Sequence, residues 1–532
     1  MRFVLFVLAS AVALAQNAPT ATGTIHGVVQ FAGGGQPIEG AQVRISPGGK
    51  EVRTDAQGHY SLDNLAARSY YIQAFSQRHP GAFQALIRVL GAGQDLAVDF
   101  HLPPMASISG RVLDQNDEPV PNVSVFLITR QYSAGALGYI RVSVQLTNDR
   151  GEYKLPSVNP DRGFFVLAKK MEQHVDAISD APADPKLRKR IAVPTYYPGT
   201  DSLEGAEIVR LRPGENREGV DIRLLRSASY CADGVLEGPS GPAELHFWFE
   251  ELRPSDGVTD VGGMYIFPTQ GATGSDGRFR LCNLHPGEYR LTASDGQMTV
   301  GGTAQFSILD ADVHNVRLNF LPRVAVPGEI VFDGKAPENP VERKVSVLLW
   351  PPVARTVWNG ESTSTESTVP GEFTFPSVST GEFPVDVRGL PGDLYVKDVL
   401  YSGQSVLHRT FTVGGAIGKA TLRIVVATGG ALIKGTVTDK DNNPVPDCYT
   451  AVAPVSAASE AEFSAAVLFP QCDQNGAWST PRLAPGKYYV IPSRTAFDHS
   501  PETIDRLWGS RASAHEVDLT AGATEQLTQV LE

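Results

Sequence analysis

The sequence has few cysteines, a deficit of positive charge and no long hydrophobic run in its main body. Four cysteines occur in 532 residues, and 46 Lys and Arg against 58 Asp and Glu give a formal net charge of −12. An acidic chain without a basic patch is poorly suited to nucleic acid, so no nucleic-acid partner is expected. Beyond the N-terminal segment, no stretch reaches the ~18 consecutive apolar residues of a membrane helix. We therefore expect no transmembrane span in the mature chain.

The usual signatures of catalysis are also missing. The sequence contains no Gly-x-Ser-x-Gly turn, no phosphate-binding glycine loop and no His-Glu-x-x-His pattern. His285 and Glu288 have the spacing of a zinc pair, but their turn recurs later with Ala484 and Lys487 in the same places, and neither of those residues suits a metal. We therefore expect no enzyme, no catalytic residues, no metal and no cofactor.

Glycine and proline, by contrast, are plentiful. The chain has 52 Gly and 38 Pro, while 42% of its residues are hydrophobic. This composition excludes wholesale disorder and favours many short strands joined by tight turns. The length also exceeds what one hydrophobic core supports, so an all-β protein of several domains is expected.

The N-terminus has the form of a secretory signal. Met1-Arg2 precedes an apolar run from Phe3 to Leu14, and small residues follow. The alternative is a membrane anchor, but roughly 12 apolar residues are too short for a bilayer core of ~30 Å. We expect cleavage between Ala15 and Gln16 and an extracytoplasmic protein, whether secreted, periplasmic or attached to the cell surface.

One pattern recurs five times along the chain. Each copy has a glycine in an opening strand, a polar hairpin with a second glycine followed by an aromatic residue, and a turn that leads into an aromatic strand. The opening glycines are Gly27, Gly110, Gly234, Gly328 and Gly435. The hairpin glycines and the aromatics that follow them are Gly58 and Tyr60, Gly151 and Tyr153, Gly277 and Phe279, Gly371 and Phe373, and Gly476 and Trp478.

The repeat spacing is close to the ~100 residues of a β-sandwich, and it predicts a tandem array of about five immunoglobulin-like or transthyretin-like modules. A signal peptide at 1–15 is followed by module 1 at 16–104 and module 2 at 105–225, which carries a proline-rich insertion at 171–197. Modules 3, 4 and 5 are expected at 226–321, 322–428 and 429–532.

These motifs resemble the carboxypeptidase regulatory-like domain, a transthyretin-like sandwich among the carbohydrate-binding-like folds. The resemblance is clearest in module 2, through Gly110 to Asp114, Pro119 to Val125 and Asn148 to Tyr153, and nearly as clear in module 5. It is weakest in module 4, which lacks the Pro-Val-Pro turn. The resemblance implies an accessory, non-catalytic module of a bacterial surface protein with polysaccharide as the ligand. The alternative is a structural spacer or a stalk that docks another cell-surface protein.

The four cysteines allow three pairings. Joining Cys231 to Cys282 and Cys448 to Cys472 keeps each disulfide inside one module, so this local pairing is preferred for an oxidising compartment. Alignment of the repeats places Cys472 opposite Thr147 of module 2 and Cys448 opposite Val123.

Exposed aromatic rings are the candidates for sugar binding, because such rings stack on pyranose faces. The candidates are Trp248, Trp350, Trp358, Tyr196 and Tyr197. Acidic turns, such as those that begin at Asp114 and Asp439, have oxygen ligands suited to calcium, although turns closed by an Asp side chain also explain them.

Overall fold

A computed structural model describes residues 22–33, 35–160, 162–170, 189–238, 241–242, 246–252, 254–255, 258–259, 269–273, 276–294, 300–334, 344–349, 363–414 and 421–531. The chain divides into two compact units, residues 1–104 and 105–532. Unit 1 contains one β-sandwich, sandwich 1. Unit 2 contains four successive sandwiches, sandwiches 2 to 5.

Sandwich 1 consists of two four-stranded sheets that face each other across a core containing Ile25, Val43 and Ile72. Its strands β1 to β8 are Gly23–Phe31, Gln42–Ser46, Glu51–Arg53, His59–Leu65, Arg68–Phe75, Phe83–Leu90, Asp95–Ala97 and Phe100–Leu102. One sheet has the order β4-β1-β7, with β8 also paired to β1, and the other has the order β3-β2-β5-β6.

Sandwich 2 has the same plan. Its strands β9 to β18 are Ala106–Leu113, Val123–Ser133, Ala136–Leu146, Glu152–Val158, Phe165–Lys170, Arg190–Val193, Thr195–Tyr196, Asn216–Arg217, Ile222–Arg223 and Leu225–Ala228. The sheet β11-β10-β13-β15 has two buried faces. Val123, Val125 and Leu127 point into the sandwich core, and Phe126 and Ile128 join a second apolar cluster on the opposite face.

Sandwiches 3 and 4 follow. Strands β19 to β30 are Tyr230–Val235, Glu237–Gly238, Gly241–Pro242, His246–Leu252, Pro254–Ser255, Val258–Thr259, Thr269–Ala272, Arg278–Leu284, Gly287–Ser294, Val300–Ile308, Val313–Arg317 and Asn319–Pro322. Strands β31 to β40 are Val324–Phe332, Val345–Leu349, Thr363–Ser367, Gly371–Val378, Gly381–Phe383, Val385–Arg388, Tyr395–Tyr401, Gln404–Ser405, Phe411–Val413 and Leu422–Ala427. Each sandwich has its own hydrophobic core.

Sandwich 5 combines strands with helices. Strands β41 to β46 are Leu432–Thr438, Tyr449–Pro454, Ala477–Ser479, Gly486–Ser493, His515–Leu519 and Thr524–Val530. Helix α1, Glu460–Ala466, follows β42, and helix α2, Pro501–Gly509, with a 3₁₀ turn at Ser510–Ser513, follows β44. The sheets are β43-β41-β46 and β42-β44-β45.

The opening strand has the same neighbours in every sandwich. It pairs antiparallel with the strand after the glycine hairpin and parallel with a closing strand, as β41 does with β43 and β46. The equivalent opening strands are β1, β9, β19 and β31. The repeated sequence pattern therefore corresponds to one repeated topology, and the predicted fold class is confirmed: an all-β array of about five sandwiches.

Each opening glycine leaves room for a close neighbour, which is a backbone carbonyl in sandwiches 1 to 3 and the hairpin aromatic ring in sandwiches 4 and 5. Gly110 lies opposite Tyr153 in the strand register, and the Tyr153 hydroxyl donates to the Val220 carbonyl at 2.5 Å. That carbonyl oxygen lies where a side chain would begin, because a Cβ on Gly110 would be 2.1 Å from it. The same arrangement joins Gly27, Tyr60 and Val98 in sandwich 1. The glycine and the aromatic residue therefore recur together, because the glycine leaves the space that the aromatic ring or its carbonyl partner occupies.

Five turns in sandwiches 1, 2 and 5 are closed by an Asp or Asn side chain that accepts two backbone N–H groups. Asp439 Oδ1 accepts from Asp441 and Asn443 at 2.9 and 2.8 Å. The side chains that repeat this contact are Asp55, Asp114, Asn148 and Asp473. Hydrogen bonds from the Asn443 backbone and side chain hold the pKa of Asp439 below its ordinary value. These oxygens close the turns through hydrogen bonds. This structural role explains why the turns contain acidic residues, and it does not require calcium.

Candidate functional site: the helical layer of sandwich 5

The helices of sandwich 5 begin at capping residues in the sequence. The Ser459 side chain accepts from the Glu462 amide, and a Glu462 carboxylate oxygen accepts from the Ala458 amide at 3.0 Å. The Ser500 side chain caps α2 in the same way, and Pro501 occupies its first turn. Such contacts satisfy N–H groups that a helix start leaves unpaired. We call residues 457–467 and 497–513 the helical layer.

The helical layer covers the outer face of the sheet β42-β44-β45. Val452 and Val490 point into the sandwich core, whereas Ala451 and Ala453 point outward to Phe463, Ile504 and Leu507. The small alanine side chains allow the helices to approach the sheet closely. One sheet therefore has two apolar faces, and the second face belongs to a separate cluster.

Sandwich 2 contacts this layer through the tip of its β10–β11 hairpin. The backbone amide of Tyr132 donates to the carbonyl of His499 at 2.8 Å, and the Tyr132 ring packs against the cluster of Phe463 and Ile504. The tip lies so close to α1 that a Cβ on Gly135 would be 2.8 Å from the Ala461 carbonyl oxygen. Two sandwiches that are separated in sequence by sandwiches 3 and 4 are therefore in direct contact.

An ion pair fixes this contact. Arg162 donates through Nε and Nη2 to one oxygen of Asp498, both at 2.8 Å, and the two side chains are only 19% and 29% exposed. Arg162 also reaches Gln131 on the hairpin at 3.3 Å. A second pair, Arg210 with Glu502 at 3.6 Å, lies beside it. The cations come from sandwich 2 and the carboxylates from the helical layer.

Sandwich 4 uses the same kind of contact. Arg409, which follows β38, pairs with Glu462 at the start of α1. The Ala458 amide and the Arg409 guanidinium hold the pKa of Glu462 below its ordinary value. The helical layer of sandwich 5 therefore connects sandwiches 2 and 4, each through an arginine that meets an acidic residue of the layer.

The two titratable groups at the centre of the contact, Asp498 and His499, both have a pKa below the ordinary value. Burial alone would raise the pKa of Asp498, but the Ser500 hydroxyl and the Arg162 charge outweigh it and hold the pKa below its ordinary value. Burial lowers the pKa of His499. At neutral pH the contact therefore combines a charged carboxylate with a neutral imidazole, which packs on Phe469 at 5.1 Å between ring centroids.

The cysteines form two disulfides, Cys231 with Cys282 and Cys448 with Cys472. Cys472 lies where Thr147 lies in sandwich 2. The Cys472 amide donates to the Cys448 carbonyl at 2.8 Å, and the Thr147 amide donates to the Val123 carbonyl at 2.9 Å. In sandwich 2 the Thr147 hydroxyl accepts from the Val123 amide at 2.9 Å. A hydroxyl and a disulfide thus connect the same pair of strands in different sandwiches.

The aromatic residues proposed for sugar stacking do not assemble into one surface. Tyr196 is fully buried, with 0% exposure, so its proposal as a stacking residue is wrong: its ring is needed by the cluster around Phe165 and Leu167. Tyr197 is half-buried against the core of sandwich 2. Trp350, Trp358 and the side chain of Trp248 lie outside the described residues.

The zinc-like spacing of His285 and Glu288 belongs to a turn. His285 is buried, its Nδ1 lies 2.8 Å from the Pro286 carbonyl, and its own carbonyl accepts from the Tyr289 hydroxyl at 2.8 Å. Tyr488 makes the equivalent bond to Ala484 at 2.9 Å. Within the described part of the chain, no group of three or more His, Cys, Asp or Glu residues could hold a metal ion. The predicted cleavage site at Ala15 and Gln16 lies outside the described residues.

Sequence reasoning missed the helical layer. Its signals were the two caps, Ser459 with Glu462 three residues later and Ser500 before Pro501. No local signal could pair Arg162 with Asp498, because the two are 336 residues apart. In the parts of the chain that the structure covers, no helix is long and apolar enough to cross a membrane.

Comparison with known families identifies one part of the chain. Residues 24–103 match the family model of the carboxypeptidase regulatory-like domain. The expected resemblance is therefore confirmed for this segment, which lies in sandwich 1, although the sequence motifs favour module 2. No curated protein matches the chain.

Solved structures with some likeness include several pilins. A streptococcal ancillary pilin is 10% identical over 56% of this chain and 98% of its own, with a TM-score of 0.20. The RrgB pilus protein of Streptococcus pneumoniae is 7% identical over 81% and 99%, with a TM-score of 0.15. Shaft pilin SpaA of Lactobacillus rhamnosus GG is 10% identical over 39% and 98%, with a TM-score of 0.20. Likenesses at this level carry no argument about function.

Proposed function

We propose that this chain is a non-catalytic, extracytoplasmic scaffold of β-sandwich modules, in which the helical layer of module 5 holds modules 2 and 4 in place. The proposed modules are 16–104, 105–225, 226–321, 322–428 and 429–532, after removal of a signal peptide at 1–15. The observation that carries the proposal is the half-buried contact of Arg162 with Asp498. Two disulfides support an oxidising compartment outside the cytoplasm.

The scaffold function is preferred to a freely jointed stalk for a physical reason. Modules connected only by linkers move independently unless their interface is substantial. Here the Tyr132 amide, the Tyr132 ring and two arginines of sandwich 2 all reach the helical layer. These contacts restrict the positions that sandwiches 2 and 5 can take relative to each other, and a surface scaffold needs such rigidity to present a partner in one orientation.

The ion pair gives a direct test. Arg162→Ala and Asp498→Ala should each lower the free energy of unfolding by roughly 1–3 kcal/mol, because each leaves a half-buried charged partner without its hydrogen bonds. The double variant should lower the free energy of unfolding by less than the sum of the two single losses. Urea unfolding of the wild type, both single variants and the double variant measures this difference as a double-mutant cycle.

Arg78→Ala is the matched control, because Arg78 pairs with Glu39 at 3.1 Å in an exposed position. Arg78→Ala should lower the free energy of unfolding by at most about 1 kcal/mol, because exposed ion pairs contribute little to stability. Additive losses at Arg162 and Asp498 would show that the two side chains do not interact and would reject the proposed role of the contact.

Polysaccharide binding is the second candidate function, and one observation favours it. On the outer face of the sheet β3-β2-β5-β6 in sandwich 1, Tyr71 and Phe83 are exposed and Phe75 is half-buried beside Phe83. Arg44 lies 5.9 Å from the centroid of the Phe75 ring. Exposed aromatic rings stack on the faces of sugar rings, and a neighbouring polar side chain can hydrogen-bond to sugar hydroxyls.

Binding to insoluble cellulose and chitin would test this candidate. If the face binds sugar, Tyr71→Ala and Phe83→Ala should each reduce the bound fraction several-fold, because each removes a stacking ring. Leu309→Ala, at an exposed apolar residue of unit 2, should leave it unchanged. A wild-type protein that binds neither polymer would count against this candidate and would leave the scaffold function untouched.

A further inference from the structure

Among the described residues of sandwich 2, strand β11 lies at the edge of its sheet. In the described part of its sheet the order is β11-β10-β13-β15, so β11 pairs on one side only, with β10. At 11 residues it is as long as β10, its hairpin partner. An edge strand offers a row of backbone N–H and C=O groups to another strand, and proteins usually protect such edges with charge, proline or a bulge.

The second half of β11 lacks charge and proline. Residues 142–146 read Val-Ser-Val-Gln-Leu. Val142, Val144 and Leu146 are 43%, 38% and 63% exposed, which makes this stretch a row of apolar side chains in contact with solvent. We call these five residues the β11 strip. A bulge lies near Val142, but Ser143 to Leu146 pair with β10 in unbroken register.

At alternate residues of the strip, the backbone N–H and C=O groups point away from β10. The Thr147 amide and carbonyl both bond to the β10 side, to Val123 at 2.9 Å and to Asn122 at 3.1 Å. Because successive residues of a strand direct these groups to opposite sides, Val144 and Leu146 direct theirs away from β10. Their N–H and C=O groups are therefore positioned to bond to an added strand.

The strip has the same polarity pattern in both directions from Val144. Suppose that β11 of a second copy of the chain pairs antiparallel with this strand, with the pair centred at Val144. Val144 of one copy then lies opposite Val144 of the other, and Val142 lies opposite Leu146. Ser143 then lies opposite Gln145. Apolar residues meet apolar residues on one face and polar residues meet polar ones on the other, and no like charges meet although each chain carries a net charge of −12.

From this self-complementarity we propose that the β11 strip is a dimerisation surface, and that its partner is β11 of a second copy, paired antiparallel about a two-fold axis at Val144. A strand that meets its own copy about a two-fold axis forms a closed, isologous contact. The proposal does not depend on the scaffold function above, because the helical layer contacts the other end of the hairpin.

Sedimentation equilibrium of the full chain over a range of concentrations tests the association. The wild type should show a monomer–dimer equilibrium. Val144→Lys should raise the dissociation constant at least about tenfold, because it places two lysines opposite each other at the axis. Leu309→Lys, at another exposed apolar residue of unit 2, should leave the constant unchanged. A wild type that stays monomeric, or a dimer that tolerates Val144→Lys, would overturn the proposal.

Cysteine cross-linking tests the register. Directly opposed residues that exchange hydrogen bonds have Cα atoms about 5.5 Å apart, which suits a disulfide. Val144→Cys should therefore form a covalent dimer on mild oxidation, read on a non-reducing gel. Leu146→Cys is the matched control. The substituted positions of the two chains would lie four residues apart along the strand, about 13 Å, and should not cross-link. Equal cross-linking of both variants would contradict the two-fold register.

Discussion

Replacing Gly110 with alanine is expected to destabilise sandwich 2 by about 3 kcal/mol or more, at the upper end of overpacking costs. The added Cβ would lie 2.1 Å from the carbonyl oxygen of Val220, which is backbone and cannot turn aside as a side chain can. That carbonyl also accepts from the Tyr153 hydroxyl, so moving it would weaken this hydrogen bond as well. Urea unfolding of the full chain, followed by hydrogen exchange within 105–225, measures the loss.

Gly199→Ala is the control for Gly110→Ala. Gly199 belongs to the same sandwich, and a Cβ there would meet no atom within 4 Å. Its substitution should change the free energy of unfolding by less than about 0.5 kcal/mol. If Gly110→Ala were tolerated equally well, the close approach of the Val220 carbonyl to the opening strand would be wrong.

The paired substitution of Cys448 and Cys472 by alanine is expected to cost roughly 3–4 kcal/mol, because the disulfide closes a loop and restricts the unfolded chain. The sequence separation is 24 residues, and both cysteines are fully buried. The loss should appear as early unfolding of sandwich 5 in urea, and a reducing agent should reproduce it in the wild type.

Thr147→Val provides a comparison for the paired cysteine substitution, because Thr147 connects the equivalent strands of sandwich 2 by hydrogen bonds alone. It should cost about 1 kcal/mol. Peptide mapping without reduction should recover Cys448 joined to Cys472 and Cys231 joined to Cys282. Bonds between the two pairs would contradict the local pairing, and an equal cost for Thr147→Val and the paired substitution would contradict the stabilising role of the disulfide.

The repeated pattern predicted the sandwiches because local chemistry determines their turns. The hairpin at Asn148 is closed by its own side chain, and Gly110 and Tyr153 are required by one another at a strand pair. Such features depend on a few neighbouring residues and recur in each copy, so they can be read without a structure.

The helical layer could not be read in the same way. Helix α1 has only seven residues, too few for a helical repeat to stand out in a chain dominated by strands. Tyr196 was misassigned because an aromatic residue beside a Pro-Gly turn looks the same in sequence whether its ring is buried or exposed. The contact of Arg162 with Asp498 depends on how whole sandwiches pack, and no local pattern contains that information.

Hydrogen exchange at the backbone amide of Tyr132 tests the central claim most directly. This amide donates to the carbonyl of His499, so its protection depends on the contact of sandwich 2 with the helical layer of sandwich 5. In the full-length wild type we expect the amide to be protected, and in the variant with Arg162→Ala and Asp498→Ala we expect it to exchange much faster. An amide that exchanges at the rate of an open chain in the wild type would show that sandwiches 2 and 5 are not held together.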